Sequence, residues 1–141
     1  LADPRNPGMK DHLNAGIKHR EPFRPFGVII LEEEAGDWFD LNAPSPFMLL
    51  GANAKEEKKT LIPSALHVDG TSRLQTVNRS QNPLLWQLLK EFYHLTGVPM
   101  IINTSFNDNQ EPLVGTPEDA YACFTRTGID SLIIGPYMVR K

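Results

Sequence analysis

The sequence predicts an α/β fold in which strands and helices alternate along one domain of ordinary size. Two short apolar runs, Gly27 to Leu31 and Pro99 to Ile102, have the length and composition of buried strands. Two other stretches, 82–97 and 116–128, begin with a capping residue followed by proline and end at glycine, as helices do. A chain of 141 residues is long enough to bury a core, so residues 1–141 are predicted to form a single domain.

The remaining elements are predicted from proline, glycine and charge. The two prolines Pro22 and Pro25 rule out a helix and predict an extended segment between residues 18 and 26. Asp69-Gly70 predicts a tight bend before the next strand. Other predicted features, in order, are a short helix over 11–17, a strand over 46–50, a mobile surface loop over 51–60, and closing strands over 129–134 and 137–139.

The predicted extended segment carries three cations. Side chains alternate along extended backbone, which would place Lys18, Arg20 and Arg24 on one side and His19 on the other. Like charges on one face repel unless an anion lies between them, so a phosphate-bearing ligand would suit this segment. The alternative is a set of surface salt bridges to Glu21 or to the acidic run 32–34.

A polar cluster follows the apolar run that ends at Ile102. It contains Asn103, Thr104, Ser105 and Asn107, which offer amides and hydroxyls but no titrating group. Ligands usually bind beyond the carboxyl ends of strands in open α/β sheets, and these groups suit phosphate or ribose oxygens better than proton transfer. The alternative is a turn whose side chains cap their own backbone.

The strand after Asp69-Gly70 has no cleanly apolar face. Thr71, Arg73 and Gln75 share one face, while Ser72, Leu74 and Thr76 share the other. A line of Thr, Arg and Gln is more easily understood as the lining of a polar cleft than as packing. The sequence therefore adds Arg73 to the candidate binding residues.

Composition excludes several classes of protein. The net charge of -3 argues against a general nucleic-acid binder, and no apolar run approaches the roughly 18 residues of a membrane span. The single cysteine, Cys123, is expected to be a buried structural thiol, and the absence of an internal disulfide favours a cytoplasmic setting. The four histidines have no metal-ligand spacing, and neither a P-loop nor a GxGxxG motif is present.

Several blocks of the sequence resemble one family. Lys18-His19-Arg20 with Ser105-Phe106-Asn107 resembles the paired KxR and SxN motifs of the YrdC-like fold. The chain is similar, over nearly its whole length, to the carboxy-terminal domain of the O-carbamoyltransferases of nodulation-factor and antibiotic biosynthesis. The blocks that carry this similarity are KHREPFRPF, HVDGTSRLQTV, TGVPMIINTSFN followed by EPLVGTPEDA, and TGIDSLIIGPYMVRK.

The resemblance implies a fold, an activity and a ligand set. It implies a YrdC-like α/β fold, a twisted mixed sheet with flanking helices and a basic concave face. It implies that the domain converts carbamoyl phosphate and ATP, with Mg2+, into carbamoyl adenylate. Such a reaction needs side chains that neutralise phosphate charge more than it needs a nucleophilic side chain. It also implies that transfer to a hydroxyl falls to an N-terminal domain of the actin-like ATPase fold, a domain able to hold a metal of its own. The residues that would bind substrate or nucleotide are Lys18, Arg20, Arg24, Arg73, Ser105 and Asn107, with Asn103 and Thr104 beside them.

Two departures from the family pattern lead to further expectations. The chain opens on Leu1 without the Gly- and Arg-containing segment and the transferase domain of family members, so it is expected to be a fragment that binds weakly and transfers nothing to a hydroxyl. Gly27 stands where the family tends to have alanine followed by proline, a change expected to be harmless. The alternative function is a non-catalytic YrdC-like module for nucleotide or structured RNA, although the charge makes nucleic acid the weaker prediction.

Overall fold

A computed structural model describes residues 1–141, which divide into two compact units. The first unit comprises Leu1–Met9 and Pro25–Thr104, and the second comprises Lys10–Arg24 and Ser105–Lys141. The regular elements, in chain order, are α1 (Met9–His12), β1 (Gly27–Leu31), α2 (Ala35–Trp38), β2 (Leu50–Asn53), β3 (Thr71–Val77), α3 (Pro83–Thr96), β4 (Met100–Asn103), α4 (Pro117–Arg126), β5 (Ser131–Ile134) and β6 (Tyr137–Arg140).

The first unit is built on a four-stranded mixed sheet in the order β2-β3-β1-β4. β1 pairs with β3 in parallel and with β4 antiparallel, and β2 pairs with β3 antiparallel. The antiparallel register sets Gly27 opposite Asn103, so the polar residues after β4 begin at the edge where β1 starts. The predicted α/β class, with a mixed sheet and flanking helices, is confirmed.

The apolar runs form the core of the first unit. β1 has the bounds predicted for it and is buried at all five positions, and β4 starts one residue later than predicted. Ile29, Leu31 and Ile101 pack with Val77 and Leu89, and the partly buried side chains of α3 cover this cluster. The predicted caps of α3 are present, since the Asn82 side chain accepts a hydrogen bond from the Leu85 amide and Gly97 takes φ 72°.

The strand predicted at residues 46–50 is wrong. This stretch is a turn, with Met48 at φ 56°, and β2 begins only at Leu50. The buried Ser45 accounts for the difference because its hydroxyl donates to the Leu74 carbonyl at 2.8 Å and its amide donates to Thr76 Oγ1 at 2.9 Å. The loop predicted over 51–60 is also wrong in part, since β2 and the 3-10 helix Glu56–Leu61 occupy most of it.

β3 follows the alternation predicted from its sequence. Ser72, Leu74 and Thr76 are buried, whereas Arg73 is exposed on the opposite face. Gly70 takes φ 81°, which supplies the predicted bend before this strand. The exposed face is therefore the polar one that carries Arg73.

The second unit has its own small core. Ala120 and Phe124 of α4 pack against Leu132 of β5, which pairs with β6 across the predicted bend at Gly135. Thr116 and Asp119 form a reciprocal capping box at the start of α4. Cys123 is buried as predicted, and burial is the largest influence raising the pKa of its thiol. None of the helices in either unit is long and apolar enough to cross a membrane.

Gly27 lies where a side chain has no room. A Cβ atom there would lie 2.6 Å from the backbone oxygen of Arg73 and would also overlap the end of the Met48 side chain. We expect Gly27→Ala to lower the free energy of unfolding by about 1–3 kcal/mol, because the backbone of β3 would have to shift. Urea unfolding measures this change, and Gly51→Ala is the matched control, since its Cβ would meet nothing closer than Ser72 O at 3.7 Å. Equal stability of the two variants would contradict this account.

Candidate functional site

Lys18 joins the two predicted motifs within the second unit. Its ammonium nitrogen lies 3.0 Å from Ser105 O, 3.2 Å from Ser105 Oγ, 2.5 Å from Asn107 O and 2.7 Å from Asn107 Oδ1. The Ser105 hydroxyl also donates to Asn107 Oδ1 at 2.6 Å. We call residues 105–111 the SxN loop, and Lys18 binds its first and third residues, Ser105 and Asn107.

The ammonium group of Lys18 is buried among neutral oxygens. The residue is 4% exposed, and burial is the main cause that lowers the pKa of Lys18, with the charge of Arg20 adding to it. Asp108 and Glu111 oppose this shift from a distance. An ammonium has three N–H donors, and the loop offers four acceptors, so the loop alone can satisfy Lys18.

The extended segment predicted between residues 18 and 26 is wrong. His19 takes φ 43°, and the Arg24 amide donates to Glu21 O at 3.2 Å, which makes a turn. The three cations therefore do not share a face: Lys18 is buried, while Arg24 is exposed and pairs with Glu21 at 2.9 Å. The salt-bridge alternative thus describes Arg24, whereas Lys18 binds the SxN loop.

Asn14 explains this turn, although no sequence pattern pointed to this residue. It lies fully buried in the π-helical turn Leu13–Ile17 that follows α1. Its amide nitrogen donates to Arg24 O at 2.9 Å and Pro22 O at 3.3 Å, and its Oδ1 accepts from Arg20 Nε at 2.8 Å. Asn14 therefore folds the backbone of residues 22–24 over itself and orients Arg20.

A second link joins His19 to the SxN loop. His19 Nδ1 lies 2.7 Å from Asp108 Oδ1, and the Asn109 side chain donates to His19 O at 3.0 Å. Burial alone would raise the pKa of Asp108, but the Asn109 amide and His19 outweigh it and lower that pKa below its ordinary value. The segment after α1 and the SxN loop are thus connected through His19 as well as through Lys18.

Glu111 closes the SxN loop and is another residue that sequence analysis did not identify. Its Oε1 accepts the Asp108 amide at 2.6 Å, its Oε2 pairs with Arg126 at 2.6 Å, and its carbonyl accepts Asn107 Nδ2 at 2.7 Å. The Asp108 amide is the main cause that lowers the pKa of Glu111, and Arg126 adds to it. Glu111 is the first residue of the EPLVGTPEDA block, which could have drawn attention to it. That block supported the family resemblance as a whole and did not assign a role to any single residue.

The other predicted residues belong to the first unit. Arg73 is exposed on β3, and Thr104 is partly buried after β4. Asn103 donates to Gln75 Oε1 at 2.9 Å and contacts Met48 Sδ at 3.4 Å, while its Oδ1 is buried without a partner. Within one unit, the structure thus brings together Lys18, Ser105 and Asn107, with Arg20 two residues from Lys18.

The residues present do not form a preassembled metal centre. No three side chains among His, Cys, Asp and Glu lie together as a group that could hold a metal ion. Asp108 and Glu111, the carboxylates beside Lys18, are engaged with His19, Arg126 and loop amides. A Mg2+ ion bound here would depend mainly on phosphate oxygens of a ligand and on water, as is usual for this ion.

The comparisons with known proteins agree with the resemblance to O-carbamoyltransferases described above. Over 144 residues the chain is 44% identical to nodulation protein NolNO of Sinorhizobium fredii, covering 100% of this chain and 21% of that protein. It is also 44% identical to nodulation protein NolO of Bradyrhizobium diazoefficiens, of which it covers 26%. Nodulation protein U of Rhizobium tropici is 42% identical over 123 residues, 87% of this chain and 21% of that protein.

The chain thus spans about a fifth to a quarter of the length of these relatives. The family described as carbamoyltransferase C-terminus matches residues 1–141, the whole of the sequence. The chain therefore belongs to the carbamoyltransferase C-terminus family.

Proposed function

We propose that this chain is the carbamoyl adenylate-forming domain of an O-carbamoyltransferase. The observation that carries the proposal is the contact of Lys18 with Ser105 and Asn107, which joins the KxR and SxN motifs across 87 and 89 residues of sequence. Membership of the carbamoyltransferase C-terminus family supports the carbamoyl group as the one that is transferred. Lys18 and Arg20 would counter phosphate charge, and Ser105 and Asn107 would orient the phosphate oxygens.

The proposed reaction balances with one water. Water would cleave the mixed anhydride of carbamoyl phosphate to give carbamate and inorganic phosphate. A carbamate oxygen would then attack the α-phosphorus of ATP and break its bond to the β-phosphate, which gives carbamoyl adenylate and pyrophosphate. No nucleophilic side chain is needed, because the groups that react belong to water and to the two substrates. Mg2+ would supply further charge neutralisation on the phosphates when bound.

The remaining predicted residues enter the proposal with the roles that the family resemblance gives them. Arg24 and Arg73 would bind phosphate, and Asn103 and Thr104 would contribute amide and hydroxyl groups. Arg24 would have to leave Glu21 to do so, at little cost, because both side chains are about half exposed. The proposed partner is an N-terminal domain of the actin-like ATPase fold, which would pass the carbamoyl group to a hydroxyl.

The proposal predicts pyrophosphate exchange into ATP that requires both carbamoyl phosphate and Mg2+. Arg20→Gln should reduce the exchange about tenfold or more, since one charge-assisted hydrogen bond to phosphate is worth about 1.5–3 kcal/mol. Arg140→Gln on the exposed strand β6 of the same unit is the matched control and should exchange like the parent chain. Calorimetric titration with ATP, with and without carbamoyl phosphate, separates binding from turnover.

Two results would count against adenylate formation. ATP binding without any exchange would favour a nucleotide-binding module, and this alternative has support from the full engagement of Lys18 by the loop. Binding of structured RNA that falls steeply with salt, with no effect of ATP, would favour the RNA module instead.

A further inference from the structure

Glu111 occupies the end of the SxN loop and contacts that loop at two residues. We propose that Glu111 is a positioning residue: it sets the conformation in which the SxN loop meets Lys18. This role for Glu111 depends on the proposed function in one respect only, namely that phosphate is the ligand of the SxN loop. The conformational role itself follows from the contacts within the second unit.

The two carboxylate oxygens of Glu111 have separate partners. Oε1 accepts the Asp108 amide at 2.6 Å, so it fixes the backbone directly after Asn107. Oε2 pairs with Arg126 at 2.6 Å, in the last turn of α4. The carboxylate therefore ties the middle of the loop to a helix that packs through Phe124 into the core of this unit.

The main chain of Glu111 determines how Asn107 meets Lys18. The Glu111 carbonyl accepts Asn107 Nδ2 at 2.7 Å, which occupies the donor end of that amide. The acceptor end, Oδ1, is then left for Lys18 Nζ at 2.7 Å and for the Ser105 hydroxyl at 2.6 Å. A reversed amide would present N–H groups to an ammonium, which has no lone pair to accept them.

Glu111 also acts on Lys18 through charge. Its carboxylate raises the pKa of Lys18, against the lowering caused by burial and by Arg20. The Glu111–Arg126 pair itself is partly exposed to solvent, at 28% and 54% of the two side chains, and such pairs add little to overall stability. Loss of the carboxylate should therefore disturb the loop and Lys18 more than it disturbs the fold.

The test compares Glu111→Gln and Glu111→Asp with the parent chain. Glu118→Gln is the matched control, because Glu118 is an exposed glutamate of the same unit. Amide hydrogen exchange at Asp108, followed by NMR, reports the loop, and titration of the Lys18 side-chain resonances reports its pKa. Glu111→Gln keeps an oxygen that can accept the Asp108 amide but loses the charge and the pair with Arg126, so exchange at Asp108 should speed up about tenfold and the pKa of Lys18 should fall. Glu111→Asp keeps the negative charge, but its shorter side chain cannot contact the Asp108 amide. Hydrogen exchange at Asp108 should therefore be faster, while the pKa of Lys18 stays near that of the parent chain.

Ligand binding gives the second readout. In a parent chain that binds ATP, Glu111→Gln should weaken the affinity about tenfold, with a melting temperature within about 2 °C of the parent. Unchanged Asp108 exchange in both Glu111→Gln and Glu111→Asp, each of them folded, would overturn the positioning role whatever the ligand does. A parent chain that binds neither ATP nor carbamoyl phosphate would instead overturn the proposed function, and faster Asp108 exchange in Glu111→Gln would still support the positioning role.

Discussion

Lys18→Met should remove most of the affinity of this chain for ATP and should also destabilise the second unit. Methionine fills similar space but leaves the oxygens of Ser105 and Asn107 without their cation. Each hydrogen bond from a charged donor is worth about 1.5–3 kcal/mol, and the lost phosphate contact should weaken ATP binding about tenfold to a hundredfold. Calorimetric titration and urea unfolding measure the two effects.

Lys55→Met provides the comparison for this experiment. Lys55 belongs to the first unit, and its hydrogen bonds are made by its backbone: its amide donates to Trp38 O and its carbonyl accepts the Lys58 amide. That variant should bind ATP and unfold like the parent chain. If Lys18→Met is destabilised but binds ATP with parental affinity, Lys18 serves only to hold the SxN loop, and its proposed contact with phosphate is wrong.

The elements that the sequence predicted well are those that depend on local pattern. β1, α3 and α4 lie within a residue or so of their predicted bounds, because apolar runs and capping residues act over a few neighbouring positions. The alternation along β3 was predictable for the same reason. These elements need no information about distant partners.

The incorrect predictions concern segments whose backbone is held by distant residues. Residues 46–50 read as a strand, but Ser45 binds β3 about 30 residues away and turns the chain there. The segment after Lys18 read as extended because of its prolines, but Asn14 binds two of its carbonyls. Nothing in the local pattern shows such contacts, since proline fixes its own φ and restrains only the residue before it.

The candidate site was predictable only in part. The family resemblance paired Lys18 with Ser105 and Asn107, and the structure joins them directly. Glu111 and Asn14 were not identified, because neither belongs to the KxR or SxN motif. Both residues act by holding other residues in place, a role that a spacing of residue types does not reveal.

Asn14→Ala should destabilise the chain strongly and should weaken nucleotide binding through Arg20. Asn14 is fully buried, and its loss would remove the hydrogen bonds that its side chain makes with the carbonyls of Pro22 and Arg24 and with Arg20 Nε. At about 1 kcal/mol for each of the three lost hydrogen bonds, the free energy of unfolding should fall by roughly 3 kcal/mol. Thermal and urea unfolding measure this, and Asn42→Ala, at an exposed loop position, should change it little.

Asn14→Asp distinguishes the two roles that the Asn14 side chain combines. Aspartate keeps an oxygen for Arg20 Nε but replaces the N–H donors with a second oxygen, which would face the Pro22 and Arg24 carbonyls. Because that oxygen repels carbonyls and cannot donate when ionised, this variant should be at least as unstable as Asn14→Ala. Parental stability in Asn14→Asp would mean that the turn holds its shape without Asn14. The contact of Asn14 with Arg20 would then be its main contribution to the site.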